Sequence, residues 1–258
     1  MWPAGRSLQT VSWAGEGVVR QQKREGRRWQ TRNVSPVAVI DTVNVGRRAP
    51  NPYKKALDTG IGKSPVDGPV EVRAPGPKIS GLGSGVVGDF IGDGLHHGGD
   101  EQAVYAFQRE DLDAWERRLE RTLPNGFFGE NLTTRDLEVN EARVGERWRV
   151  GTDVVLQVTM PRIPCATFRG WVGEPGWAKW FTAVGRPGAY LRVITPGSMR
   201  AGDPVEVVHR PDHDVTISLV FRATTTERDL LPSLLAAGDD LDPEIREDVH
   251  ARRLIELD

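Results

Sequence analysis

Val154-Val155-Leu156-Gln157-Val158-Thr159 leads, through Met160, into Pro161-Arg162-Ile163-Pro164-Cys165. The first six residues form an apolar, β-branched run of strand length. The two prolines then fix the backbone and end the strand's pairing. Cys165 is therefore expected on a rigid turn just past a strand end. It is the only cysteine in 258 residues. Arg162 and Arg169 lie close by in sequence, and nearby guanidinium charge favours a thiolate, the form that attacks electrophiles and binds soft metals. The plainer alternative is a small buried apolar side chain.

Outward from this stretch the chain repeats one pattern. Short β-type runs fall at residues 37–45, 70–73, 86–91, 103–107, from Phe127 into Leu132, and at 144–148, 154–159, 188–194 and 204–208. Gly/Pro turns separate them. Between them lies one clear helix at 110–123, with Leu112, Trp115, Leu119 and Leu123 on one face and Pro124-Asn125-Gly126 as its stop. Residues 168–181, with Trp171, Trp177 and Trp180, read as a short helix or a lid-like loop. About nine short strands and one helix over 36–210 predict a mainly β fold with some α, curved and barrel-like rather than doubly wound. After Arg210 the texture turns helical over 211–258, and Asp242-Pro243-Glu244 is a helix-start signal. Three helices this short cannot form their own core, so they are expected to pack on the barrel or on a second subunit of a homodimer.

Composition narrows the class. A hydrophobic share of 38% and a charged share of 27% fit a soluble globular protein. No apolar run approaches the ~20 residues that span a bilayer, so no membrane role is expected. One cysteine forbids an internal disulfide, points to a reducing, cytoplasmic setting and excludes an iron–sulfur cluster held by this chain's own cysteines. Residues 1–35 carry seven Lys/Arg and two Asp/Glu, whereas the net charge of the whole is −2. This basic head lacks periodicity and an h-region, and reads as a disordered extension outside the functional unit. The rest has no basic stripe, which argues against nucleic-acid binding.

Two loops carry candidate chemistry. Thr59-Gly60-Ile61-Gly62-Lys63-Ser64-Pro65 superficially looks like a phosphate loop, but Leu57 stands where the first glycine is needed, and Pro65 opposes a helix start. Lys63 is left as either an anion contact or an exposed turn residue. From Gly81 to Gly99 there are eight glycines, closed by His96-His97-Gly98-Gly99. Adjacent histidines chelate poorly, and no third ligand lies near for zinc. A ring N–H on an oxyanion, with the amides of Gly98 and Gly99 as an anion-binding concavity, suits them better. Glu130 and Asn131, beside Phe127-Phe128, read equally as pocket lining or as a capped turn.

Taken in order, Gly88-Asp89, His96-His97-Gly98-Gly99 with Ala103-Val104, Phe128-Gly129-Glu130-Asn131-Leu132, Gly145-Glu146, Pro161-Arg162-Ile163-Pro164-Cys165, and Tyr190-Leu191-Arg192-Val193 with Gly202-Asp203 resemble the MOSC family. This is the domain that ends molybdenum-cofactor sulfurases and also stands alone. The resemblance covers about residues 36–255 and is greatest to the stand-alone bacterial type with a three-helix C-terminal tail. It implies a β-barrel that binds the molybdenum cofactor, with Cys165 as the thiolate ligand to the metal. Lys63, His96, Gly98, Gly99, Arg162 and Arg192 would hold the cofactor, while His97 and Asn131 would border the open position and handle substrate. Some relatives reduce N-hydroxylated bases and amidoximes. This chain has no flavin or cluster motif, so a separate electron-donor reductase is implied. Two other readings remain: a cofactor or sulfur carrier using Cys165, and an interaction module with a buried, inert Cys165. The basic head has no place in the family pattern.

Overall fold

The computed structural model describes residues 37–54 and 58–255. The basic head read at 1–35 lies outside them. In chain order the elements are β1 (Val39–Gly46), β2 (Ala49–Pro50), β3 (Asp58–Thr59), β4 (Lys63–Pro65), β5 (Val70–Val72), a 3-10 turn (Asp100–Gln102), β6 (Val104–Gln108), α1 (Arg109–Leu119), β7 (Leu132–Arg135), β8 (Arg147–Val150) and β9 (Val154–Pro161). Then follow α2 (Ala166–Val172), α3 (Trp177–Val184), β10 (Ala189–Thr195), β11 (Gly197–Met199), β12 (Val205–His209), α4 (Ile217–Thr225), a 3-10 segment (Arg228–Asp240) and α5 (Pro243–Ala251).

Eight strands form one sheet in the order β12-β8-β9-β10-β6-β7-β1-β4. Every pair is antiparallel except β6 and β7. A parallel pair needs a crossover, and α1 supplies it, which explains the helix in a strand-rich chain. The sheet curls until β12 meets β1. Val39 bridges Pro204, the Ile40 N–H donates to the Asp203 carbonyl at 2.9 Å, and the Val205 N–H donates to the Ala38 carbonyl at 2.8 Å. The expected barrel is thus a mainly β sheet whose ends are stitched by a short bridge rather than by a full ladder.

One expected strand is absent, and one open alternative is resolved. Residues 86–91 form no strand: apart from one bridge between Val72 and Val86, this segment runs as turns, and Gly88 at φ 89° breaks the extended run. Of the two forms expected at residues 168–181, the helical one is found, as α2 and α3, and not the lid-like loop. Phe168, Trp177 and Phe181 are fully buried, and Phe128 lies at their centre, 5.3 Å from Phe168 and 5.2 Å from Trp177 between ring centroids. Edge-to-face stacking of this kind adds to area burial and locks α2 and α3 onto β6 and α1. The outer end of β9 is therefore anchored from two sides.

The C-terminal helices share the same core. The Val144 N–H donates to the Val215 carbonyl and the Ile217 N–H to the Ala142 carbonyl, each at 3.0 Å, and Phe221 meets Phe181 at 6.1 Å. Asp242 caps α5, accepting from the Glu244 and Ile245 amides at 2.9 and 3.1 Å. No helix among the described residues is long and apolar enough to cross a membrane.

Candidate functional site

At the end of β9, Pro161 closes the strand and Cys165 becomes the residue preceding α2, with extended backbone. No side chain caps α2, so its first amides are free of protein side chains where Ala166 and Thr167 line a cleft. The cleft encloses roughly 800 Å³ of space not filled by atoms, a figure that includes open solvent. Cys165 lines it half-buried, and the Cys165 Sγ lies 3.8 Å from Arg162 Nη2.

Arg162 carries the most unusual charge in the site. Its guanidinium lies over Phe168, Tyr105 and Tyr190 at 5.4, 5.7 and 5.9 Å and donates to the Tyr190 hydroxyl. No carboxylate among the described residues pairs with it, and its buried Nε has no hydrogen-bond partner. The side chain as a whole is half-buried and lines the cleft, so its charge, without a carboxylate partner, faces the cleft's contents. Burial works against its ionised form, but Tyr190, Cys165 and Tyr105 outweigh that and raise its pKa above the usual arginine value.

On the other side, Asp89 organises the cleft floor. Its carboxylate, fully buried, accepts from Lys63 Nζ, from the Gly46 N–H and Ser84 Oγ at 2.8 Å each, and from Asn131 Nδ2 at 3.0 Å. Lys63 is 5% exposed, so the reading of an exposed turn residue is corrected. Burial lowers its pKa, with Asp89 acting in the opposite direction. Asn131 lines the cleft, but its amide is committed to the framework: Oδ1 accepts from the Tyr105 N–H at 3.2 Å, and Nδ2 also reaches the Asn44 carbonyl at 3.3 Å. Glu130 caps the turn before it, accepting from the Gly126 N–H at 2.6 Å, Thr133 Oγ1 at 2.9 Å and the Phe128 N–H at 3.0 Å. Burial nevertheless raises its pKa to about 7.

His97 lines the cleft and is neutral, because burial and then the Arg162 charge push its pKa down to about 3. Gly98 lines it too, in the left-handed region at φ 82°, where an added Cβ would sit 2.7 Å from the Gly83 carbonyl oxygen. The far wall is equally tight: a Cβ on Gly60 would lie 2.1 Å from the Phe90 carbonyl oxygen.

Cys165, Arg162, Lys63, His97, Gly98 and Asn131 thus share one cleft, whereas three other expected residues lie outside its lining. His96 is exposed, its ring held by Asp93 at 3.0 Å. The Gly99 N–H is spent on the Gly83 carbonyl at 2.9 Å. Arg192 is captured by Glu101. Asp89, Tyr105, Tyr190, Gln102, Asp58 and Phe90 were missed as site residues. Of these, Asp89, in the quoted Gly88-Asp89 pair, and Tyr190, in the quoted Tyr190-Leu191-Arg192-Val193 stretch, had a signal that could have found them. No three His, Cys, Asp or Glu residues among those described gather to hold a metal. A metal here would have to arrive with ligands of its own and take a single protein sulfur.

These features define a curled-sheet protein with a cleft lined by a thiol and a half-buried guanidinium that has no carboxylate partner among the described residues. Residues 93–206 match the MOSC domain. It is 29% identical over 182 residues to the uncharacterized protein YflK of Bacillus subtilis, covering 70% of this chain and 78% of that one. It is also 29% identical over 199 residues to a protein of Gibberella moniliformis named "Reductase", covering 75% of this chain but only 34% of that longer one. The crystal structure of YiiM from Geobacillus stearothermophilus superposes with a TM-score of 0.66 at 26% identity, over 83% of this chain and 98% of that one.

Proposed function

We propose that the cleft binds the molybdenum cofactor through Cys165 and that the protein reduces N-hydroxylated compounds, with electrons supplied by a separate reductase in a reducing, cytoplasmic setting. The observation that carries this reading is the pairing, in the cleft, of a half-buried thiol with a half-buried guanidinium that lacks a carboxylate among the described residues. The residues fit the group on two counts. A lone soft sulfur suits a thiophilic metal that brings its own dithiolene. Arg162 and the buried Lys63 offer positive charge to an anionic ligand, and the first amides of α2 add donors. The resemblance to a protein named "Reductase" supports the reaction class.

Each side chain then has a defined task. Cys165 would ligate the metal, and Arg162, fixed by three aromatic rings, would hold both the thiolate and negative charge beside it. Lys63 would face the anionic part of the group, kept in place by Asp89. Tyr105 and Tyr190 would wall off water. His97, being neutral, offers one ring N–H and one acceptor nitrogen to a substrate. When bound, the cofactor supplies two-electron acceptance of an oxygen atom. Overall, an N-hydroxy compound, two electrons and two protons give the reduced base and water. A Cys165 that lines an open cleft also speaks against the inert interaction module.

The test uses the full chain produced in a host that makes the cofactor, with reduced viologen as donor and benzamidoxime as substrate. Benzamidine should accumulate with the wild type and not with Cys165→Ala. Metal-loaded wild type that forms none would overturn the reductase reading.

A further inference from the structure

Two amide side chains line the cleft in contrasting ways. Asn131 is spent on the fold: its oxygen accepts from the Tyr105 N–H, and its nitrogen donates to Asp89 and to the Asn44 carbonyl. Gln102 is placed differently. It ends the 3-10 turn Asp100–Gln102, and that turn is pinned to β9, because Thr159 Oγ1 donates to the Glu101 carbonyl at 2.6 Å. The Gln102 N–H donates to the Gly99 carbonyl at 3.1 Å, and the next residue, Ala103, is buried. The backbone therefore fixes where this side chain enters the cleft that it lines.

The amide itself is left unsatisfied. Nε2 donates to the Met160 sulfur at 3.4 Å, and a thioether is a weak acceptor. Oε1 is buried and has no donor among the described residues. Turning the amide over would set its oxygen against the sulfur and leave a buried N–H open instead, so the present orientation is the better one. A buried carbonyl oxygen without a donor is destabilising, and it calls for a donor from outside the fold. Arg162 and Lys63 line the same cleft, but neither reaches this oxygen.

The group that satisfies it must carry an N–H. Of the parts of the molybdenum cofactor, the phosphate and the dithiolene are anionic and accept hydrogen bonds. The pterin supplies the N–H groups, and its pyrimidinone edge sets one beside a carbonyl. A primary amide meets an edge of paired donor and acceptor with two bonds, as glutamine does on adenine. We propose that Gln102 binds the pterin head of the cofactor, its free Oε1 accepting from the pyrimidinone N–H and its Nε2 leaving the thioether for the neighbouring carbonyl. This rests on the reading of the cleft as a cofactor site and gives the cofactor a direction in it: pterin toward the Asp100–Gln102 turn, metal toward Cys165.

The test is fluorescence titration of the cofactor-free full chain with hydroxymethylpterin and with the derivative methylated at the pyrimidinone nitrogen, which lacks that N–H. The parent pterin should bind at least tenfold tighter, a difference of about 1.4 kcal/mol. Gln102→Leu should bring the two probes within about twofold of each other and leave the Tm of the cofactor-free chain unchanged or raised, since an apolar group replaces an unsatisfied amide. Purified from a cofactor-producing host, Gln102→Leu should also carry several-fold less pterin, read as its fluorescent oxidation product. Equal binding of both probes to the wild type, or a folded Gln102→Leu that retains as much pterin as wild type, would overturn the assignment. So would a variant that raises the KM for benzamidoxime and leaves pterin selectivity intact, because the amide would then serve the substrate. The first comparison needs no variant, so it does not depend on how a variant folds. Pterin selectivity without benzamidoxime turnover would remove the reductase reading alone; turnover without the selectivity would remove the Gln102 assignment alone.

Discussion

Asp89→Asn should be the most damaging single-atom change in the cleft. The carboxylate is fully buried and Lys63 is 5% exposed, so the substitution leaves an ammonium group in the interior without its counter-charge. Breaking a buried pair from one side costs about 3–5 kcal/mol. The asparagine amide also turns an N–H toward at least one of the donors that the carboxylate accepted: Lys63, Gly46, Ser84 or Asn131. A loss near 4 kcal/mol corresponds to roughly 8–16 °C in Tm for a chain of this size. Burial already holds the Lys63 pKa below 10.5, so the native state binds fewer protons than the unfolded one between that lowered value and 10.5. Its contribution to stability therefore rises with pH across that window. Without Asp89 the folded value falls further, the window widens downward, and the deficit of the variant should shrink as pH increases. Lys63→Met in the Asp89→Asn background should recover at least half the loss, because the orphaned charge is gone. Urea unfolding of the single and the double variant against wild type, repeated across neutral to alkaline pH, checks this. A single variant within 1 kcal/mol of wild type, or a double variant no better than the single, would refute the ion-pair account.

Glu130→Gln tests the capped turn: with a folded pKa of about 7 against 4.5 unfolded, the native state keeps a proton that the unfolded chain has released. Stability should thus fall as pH rises from 4.5 to about 7, and the variant should flatten that slope in pH-dependent thermal melts. His97, held at about 3 against 6.5, should show ring NMR signals that do not titrate from about pH 5 to 8, and it should lower stability as pH falls from 6.5 toward 3. Titration of the ring near pH 6.5 would contradict its enclosure. Arg162→Met should leave the Tm of the cofactor-free chain unchanged or raised, since a half-buried cation without a carboxylate partner is replaced by an apolar side chain, while cofactor retention is lost. A large drop in that Tm would make the guanidinium structural instead.

What the sequence made legible was local. The apolar run before Pro161 and the prolines around Arg162 placed Cys165 just beyond a strand, and β9 ends at Pro161. Asp242-Pro243 read as a helix start, and Asp242 caps α5. The helix read at 110–123 appears as α1 but stops at Leu119, where Glu120 takes the left-handed region at φ 53°, short of Leu123 and of the expected stop at Pro124-Asn125-Gly126. What stayed hidden depends on partners far apart in the chain. The Asp89 hub draws on residues 46, 63, 84 and 131, and no spacing rule links these. Lys63 therefore looked like a turn residue. Arg192 read as a cofactor contact because nothing local reveals Glu101 across the fold. Gly98 and Gly99 look alike in sequence, yet the N–H of Gly99 is already spent on Gly83. The aromatic segment at 168–181 left a short helix and a lid-like loop both open because composition cannot tell rings packed on a core from rings laid over a cleft.

The central claim is that Cys165 anchors a molybdenum cofactor in this cleft, and metal content measures it most directly. The full chain and Cys165→Ala would be purified from a cofactor-producing host and their molybdenum per chain determined by elemental analysis. Near-stoichiometric molybdenum in the wild type, lost from a folded Cys165→Ala, is the predicted result. Wild type free of molybdenum, or a variant that retains as much metal as wild type, would contradict the account.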